Sequence, residues 1–217
     1  MSSPESTAAS PDGRRDRWRG HREVRRGELI EAVIAAVAER GALVGMDDIA
    51  SASGIAKPVF YRYFADKSDL FLAVGRAVAE NVVAQTMAAI DRADGPREKL
   101  EAGIDAYIAT IEANPELYRF VAAHQYSGRG NQDLLGDYAS VVGVHASRVI
   151  GEFMRAAGLD SGAAEPWGFG IVGLARSATD RWLAQPTMSR ASLVTYLTDL
   201  VWPGLRQSAA GITDSSG

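Results

Sequence analysis

The chain has no cysteine in its 217 residues, which excludes a disulfide framework and thiolate metal sites and suits a reducing compartment. It has only three histidines, His21, His124 and His145, and no HExxH or Cys/His cluster surrounds any of them, so no metal site is expected. Long apolar runs are missing too. The longest, Ala32 to Ala38, is far too short to cross a bilayer, so no membrane partner is expected. The opening stretch MSSPESTAAS has no apolar segment of the kind a secretory leader needs, which predicts a cytoplasmic protein. There is no sustained alternation of apolar and polar residues, and no hairpin dipeptide between β-branched runs. Strands are therefore not expected.

Catalytic signatures are also absent. No serine sits in a GxSxG turn, no phosphate-binding GxxxxGK[ST] loop occurs, and no pair of carboxylates is spaced for acid–base work. One glycine motif does occur, Gly168-Phe169-Gly170-Ile171-Val172-Gly173. A dinucleotide site would need a strand before it and a helix opening at it, yet Ala163-Ala164-Glu165-Pro166-Trp167 precedes it. These glycines are read instead as thinning a helix for close packing. The chain is not expected to be an enzyme or to hold a cofactor.

What is present is helical. Hydrophobic residues make up 47% of the chain and charged residues 23%, an ordinary globular balance. Leu29, Ile30, Val33, Ile34 and Val37 form a helical stripe that stops at Gly41. Later stripes run through Leu70, Phe71, Val74, Val78 and Val82, and through Leu100, Ile104, Tyr107, Ile108 and Ile111. Asn114-Pro115 opens another helix, followed by segments near 132–157, 164–184 and 189–206, with Pro203 expected to bend or end the last. The expected fold is all-α with about nine helices. The expected divisions are a disordered basic arm over 1–21, a three-helix unit over 22–67, a helical body over 68–210 and a disordered tail over 211–217.

The net charge of −4 conceals a division. Residues 1–67 carry 11 basic and 10 acidic side chains, whereas residues 68–217 carry 12 and 17. Between positions 14 and 26, Arg14, Arg15, Arg17, Arg19, Arg22, Arg25 and Arg26 face only Asp16 and Glu23. A basic arm ahead of an acidic body attracts phosphate to one face.

The stretch Gly45 to Lys67, GMDDIASASGIAKPVFYRYFADK, gives that arm a context. It reads as a short helix, a turn at Gly54 and a second short helix, both too short to persist without a third helix to dock on. That is the helix-turn-helix plan, in which the second helix enters the DNA major groove. Phe60 and Phe64 are expected in the core. Lys57, Pro58, Val59, Tyr61, Arg62, Tyr63 and Lys67 are the expected DNA contacts, with Arg17 and Arg19, beside Trp18, reaching an adjacent minor groove.

Across Leu29–Leu70 the chain resembles the DNA-binding domain of the TetR family of bacterial transcriptional regulators. The resemblance rests on the apolar first helix ending at Gly41, then Ile49-Ala50, Ser53-Gly54-Ile55, Tyr61-Arg62-Tyr63-Phe64, Lys67 and Leu70. Trp202, Gly204 and Leu205 are similar to the end of the family's last helix. Three positions depart from the pattern: Gly45 stands where Thr is usual, Ala56 where Ser is usual, and Val59 where a small polar residue is usual. The resemblance implies a ligand-responsive regulator, most simply a repressor, with an activator or a ligand-independent regulator of the same fold as the alternative. It implies an apolar cavity in the body for a small-molecule effector, whose expected lining is Tyr107, Phe120, His124, Tyr138, Phe153, Trp167 and Phe169. The last two helices carry Ile171, Leu174, Ala178, Leu193, Tyr196, Leu197 and Leu200, more apolar surface than one small body needs. Burying it against a second copy predicts a two-fold homodimer, and so a palindromic double-stranded operator.

Overall fold

The computed structural model describes residues 11–124 and 134–210; the expectations for residues 1–10 and 211–217 lie outside them. Among the described residues the chain forms nine helices and no strand. They are α1 (Pro11–Arg40), α2 (Met46–Ser53), α3 (Lys57–Tyr61), α4 (Lys67–Arg92), α5 (Pro96–Ala113), α6 (Pro115–His124), α7 (Leu134–Ala156), α8 (Ala164–Ala184) and α9 (Arg190–Ala210).

Helix α1 begins at Pro11, eleven residues before the Arg22 start expected from the sequence, so the basic arm from residue 11 onward is helical. The apolar stripe that marks a helix begins only at Leu29, while arginine is itself a good helix former and needs no stripe. At the other end α9 continues through Pro203 to Ala210 rather than stopping there.

The first core is built where the stripe on α1 meets α2, α3 and the start of α4. Leu29, Val33, Ile49, Phe60 and Val74 are fully buried in it, with Phe64 and Leu70 nearly so. Leu117, Phe120 and Val121 of α6 belong to the same core. Phe120 packs edge-on to Phe71, with ring centroids 4.8 Å apart. The three-helix unit therefore does not close on itself. Its floor is a helix of the body.

A second contact fixes the same junction. Gly41 takes a left-handed φ of 94°, turning the chain out of α1 so that the Ala42 N–H meets Glu116 Oε2 at 2.9 Å. That bond from the Ala42 backbone, more than its neighbour Arg119, holds the Glu116 carboxyl below the usual carboxylate range.

Helix α4 changes function along its length. Leu70, Phe71 and Val74 serve the first core, and further on Val78, Val82, Thr86 and Ile90 face the body's interior. The second core lies between α5, α8 and α9 and contains Ile104, Ile108, Trp182, Leu193, Val194 and Leu197. Arginines tie α5 to α9 at both ends: Arg190 reaches Asp105 at 3.0 Å and Glu112 at 2.8 Å, and Arg97 reaches Asp199 at 3.0 Å.

The glycine motif lies inside α8, with no strand before it. A Cβ on Gly168 would stand 2.6 Å from the Ser147 backbone nitrogen and 2.9 Å from the Gly143 oxygen, so this glycine lets α7 and α8 touch backbone to backbone. Gly170 has nothing within 4 Å of its missing Cβ. Gly168→Ala is therefore expected to destabilise the protein by about 1–3 kcal/mol through overpacking. Gly170→Ala should instead stabilise it, by up to about 1 kcal/mol of helix propensity. Urea unfolding of the two variants in parallel checks the sign of each.

Candidate functional site: a recognition helix and an apolar cavity

The short α2–α3 unit owes its geometry to a few local bonds. Gly45 lacks a side chain to cap α2, but Asp48 reaches back to accept from the Gly45 N–H at 2.9 Å. Gly54 adopts φ 67°, the left-handed conformation that only glycine takes without strain, and so turns α2 into α3. Ser53 Oγ donates to the Ile49 carbonyl and accepts from the Ile55 N–H, which steadies the turn. Helix α3 has no side-chain cap at Ala56, and Pro58 falls in its first turn where a missing N–H costs nothing. After Tyr61 the chain leaves the helix in tight turns, with Phe64 N–H donating to the Phe60 carbonyl at 3.0 Å. Asp66 then accepts from Asp69 N–H, and the Asp69 carboxylate accepts from Ala65 N–H, starting α4.

The sequence-chosen side chains separate into two groups here. Pro58, Tyr61, Arg62 and Lys67 are exposed, Tyr61 by 48%. Val59 and Tyr63 are half-buried and pack against the first core. Lys57 is ion-paired with Asp47 of α2, so its ammonium is not a free cation. The Arg62 guanidinium lies 5.7 Å from the Tyr63 ring and the Lys67 ammonium 4.9 Å from the Phe71 ring. Arg17 and Arg19 fall within α1, and their side chains lie outside the described residues.

One residue of the basic arm has a structural use that its charge concealed. Arg26 stacks over Phe64 at 4.4 Å, donates to the Tyr63 carbonyl at 3.3 Å and sits 3.4 Å from Asp69. It staples α1 to the turn after α3. In a run of arginines, nothing in the sequence separates this one from its neighbours.

The body encloses an apolar cavity between α4, α5, α7 and α8, closed at one end by α9, with roughly 1350 Å³ of empty space including its mouth. Four of the expected lining residues are on its wall: Tyr107, Tyr138, Phe153 and Trp167. The side chain of His124 lies outside the described residues. Two expectations are corrected. Phe120 is fully buried in the first core, because Tyr118 and Val121 are the α6 residues that face the cavity, and a residue two positions from Tyr118 points to the opposite side. Phe169 is 39% exposed and covers Gly143 on the outside, because Trp167 and Ile171, four apart, take the inner face of α8.

The wall also includes Thr86, Lys99, Tyr118, Arg176 and Trp202, none of which was chosen from the sequence. At the end nearest α6, Tyr107 and Tyr118 are hydrogen-bonded to each other, and Tyr118 donates its O–H to Asp180. Burial pushes the Tyr107 phenol up to about 12 and raises Tyr118 still further, so both remain protonated at neutral pH.

The expected dimer residues also divide. Leu193 and Leu197 are buried in the second core, and Leu174 and Ala178 pack half-buried against it. Ile171 faces the cavity. Their helical period turns these residues inward, which leaves Tyr196, 63% exposed, and Leu200, 68% exposed, on the open face of α9. Val141 and Val144 of α7 are exposed as well. Among the described residues no group of three His, Cys, Asp or Glu side chains is placed to hold a metal ion, and no helix is long and apolar enough to cross a membrane.

Comparison with known proteins agrees with this geometry. Residues 29–74 match the family described as bacterial regulatory proteins, tetR family, and residues 85–216 match the tetracyclin repressor-like C-terminal domain. An uncharacterized HTH-type transcriptional regulator of Mycobacterium tuberculosis strain H37Rv is 36% identical over 207 residues, spanning 95% of this chain and 86% of that one. The HTH-type transcriptional activator FasR of Mycolicibacterium smegmatis is 28% identical over 186 residues, spanning 85% and 84%. Among solved structures, a TetR-family regulator from Pectobacterium atrosepticum shares the fold with a TM-score of 0.68 at 20% identity, over 87% of this chain and 96% of that one. FadR from Bacillus subtilis in complex with stearoyl-CoA does so at 0.62 and 17% identity, over 80% and 95%.

The chain belongs to the TetR family and is a DNA-binding transcriptional regulator, not an enzyme. Its exposed recognition surface and the staple beneath it can be separated experimentally. Arg26→Ala is expected to lower stability by about 1–2 kcal/mol, from the lost stacking and the lost bond to the Tyr63 carbonyl. Arg22→Ala, exposed and outside these contacts, should stay within about 0.5 kcal/mol of the parent. Thermal and urea unfolding of both variants measure the difference.

Proposed function

We infer that the protein is a homodimeric repressor that releases a palindromic operator when a small apolar or amphipathic effector fills the body cavity. The observation that carries this reading is the placement of α6. Its Tyr118 and Val121 line the cavity, while Leu117, Phe120 and again Val121 belong to the core under the recognition unit, and Glu116 holds the Ala42 amide. A ligand that moves α6 therefore acts directly on the floor of the DNA-binding unit. In a dimer a small tilt of that unit changes the separation of two recognition helices that must stand one DNA turn apart. The effector's differential affinity for the two arrangements is what shifts the population.

In this reading Tyr61 and Arg62 are the principal base and phosphate contacts, since both are exposed on the recognition unit. Lys67, at the start of α4, adds its ammonium and a helix N-terminus to a phosphate. Lys57 must exchange Asp47 for a phosphate and so contributes less, while Pro58 and the half-buried Val59 and Tyr63 shape the surface. The α1 extension with Arg17 and Arg19 supplies sequence-independent attraction. The apolar effector follows from the cavity wall, and the B. subtilis relative bound to stearoyl-CoA makes a long chain reasonable. Dimer contact falls to Tyr196 and Leu200, whose exposure on a well-packed helix is otherwise unexplained. Activation is the second reading, favoured by the name of the M. smegmatis relative.

Gel-shift titration against the DNA upstream of its own gene tests the reading. Arg62→Ala and Tyr61→Ala should each weaken binding about tenfold or more. The Arg62 variant should also reduce the salt slope by about one. Unchanged affinity in both variants would sink the proposed surface, and a promoter fusion in a deletion strain decides between repression and activation. Tyr196→Glu with Leu200→Glu is expected to convert a dimer to a monomer in sedimentation equilibrium while leaving helix content unchanged. A wild-type protein that sediments as a monomer refutes the dimer.

A further inference from the structure

The cavity wall carries few groups that could recognise a polar end of a ligand, and most of them are already used. Thr86 Oγ donates to the Val82 carbonyl, and Tyr138 donates to Glu80 at 3.1 Å. Lys99 Nζ donates to the Ile90 carbonyl at 3.1 Å. Tyr118 is bonded to Asp180 and to Tyr107. Arg176 is the exception. It is half-buried on the wall beside Tyr107, and among the described residues its guanidinium has neither a carboxylate nor a carbonyl partner. Asp180, one turn further along α8, is the nearest acid in sequence, but it takes the Tyr118 hydroxyl instead. A charge on an apolar wall is costly unless something pairs with it.

The shape of the cavity limits what that partner can be attached to. Its lining follows α5 from Pro96 to Ile111, a length of about 22 Å at 1.5 Å per residue. From Tyr107 toward Pro96 the path is apolar apart from Lys99, whose ammonium is held by the Ile90 carbonyl, and it runs past Ile104, Leu100 and Phe153 to Trp202 at the end far from α6. Among the described residues the space thus has its one uncommitted cation at the Tyr107 end, and a remainder that is mostly apolar, with Thr86, Lys99 and Tyr138 already bonded.

We propose that the effector is a long, unbranched aliphatic chain ending in a single carboxylate, and that Arg176, beside Tyr107, holds that carboxylate at the α6 end of the cavity. This rests on the reading of the cavity as the effector site and adds the ligand's class and orientation. The guanidinium offers paired donors that match a carboxylate. The head group then sits against Tyr118 of α6, next to the residues that support the recognition unit, and the tail points away from the DNA.

Trp167 and Trp202 on the wall provide the signal. Quenching of their fluorescence would be titrated with palmitate, cetyl alcohol, methyl palmitate and palmitoyl-CoA, using the full-length protein, Arg176→Gln and Lys99→Gln. Palmitate is expected to bind at least about tenfold more tightly than the alcohol or the ester, the worth of one charge-assisted contact. Arg176→Gln should reduce that preference to about twofold or less, and Lys99→Gln should retain it. Equal binding of palmitate, alcohol and ester by the wild-type protein overturns the carboxylate assignment while leaving the cavity as the effector site. So does a preference that survives Arg176→Gln, or palmitoyl-CoA binding more tightly than palmitate to the wild-type protein and to Arg176→Gln alike. If none of the four ligands binds, the cavity reading itself falls. The wild-type comparison needs no variant to fold.

Discussion

The packing of Phe120 against Phe71 is the constraint on which the rest of this structure depends. It places a residue of the body at the centre of the core that supports α1, α2 and α3, only 4.8 Å from a ring on α4. A three-helix unit with an α3 of five residues has little surface of its own to bury. Borrowing the apolar face of α6 supplies what it lacks. The consequence is mechanical as much as energetic, because packed interiors pass on displacement rather than absorbing it. A movement of α6 therefore reaches the recognition unit.

The same helix shows how two uses fit on ten residues. One face of α6 has Leu117, Phe120 and Val121 in the first core, while Tyr118 turns to the cavity and Val121 touches both. Glu116 in the first turn adds a directional bond to the backbone of the loop after α1. Apolar packing sets how close the two parts lie, and the hydrogen bond sets their register. Since Glu116 is still partly exposed to solvent, its contribution to stability is modest. Its value lies in geometry.

Much of this was legible in the sequence, and the parts that were not have physical reasons. Stripes such as Leu29, Val33 and Val37 specify helices because periodicity is a local property, and the Ser53-Gly54-Ile55 turn specifies itself through the backbone freedom of glycine. The recognition unit was identifiable for that reason. The aromatic residues of the body were harder. Phe120, Phe153 and Phe169 are the same residue type, yet one fills a core, one lines a cavity and one shields a glycine on the surface. Their faces depend on which neighbours occupy the other sides of each helix, which is tertiary information. Leu193 and Leu197 raised the same difficulty: apolar residues at helical spacing mark a buried face without saying whether the burying partner is this chain or another. The extent of α1 was missed because an arginine-rich helix carries no apolar period to read.

Charge is distributed on the same logic of shared use. The basic segment invites an electrostatic reading as a whole, but Arg26 is drawn into structure by Phe64, Tyr63 and Asp69, and Lys57 by Asp47. What remains free on the recognition unit is Arg62 and Lys67, each resting near an aromatic ring that limits its range of motion. A side chain already restrained loses less entropy when it meets a phosphate or a base edge. In the proposed reading, the missing hydroxyls at Gly45, Ala56 and Val59 remove hydrogen bonds from this surface, and preorganised cations compensate for part of that loss. Affinity built in this way is sensitive to the exact placement of few groups, and in the proposed mechanism a small displacement transmitted through α6 is what disrupts it.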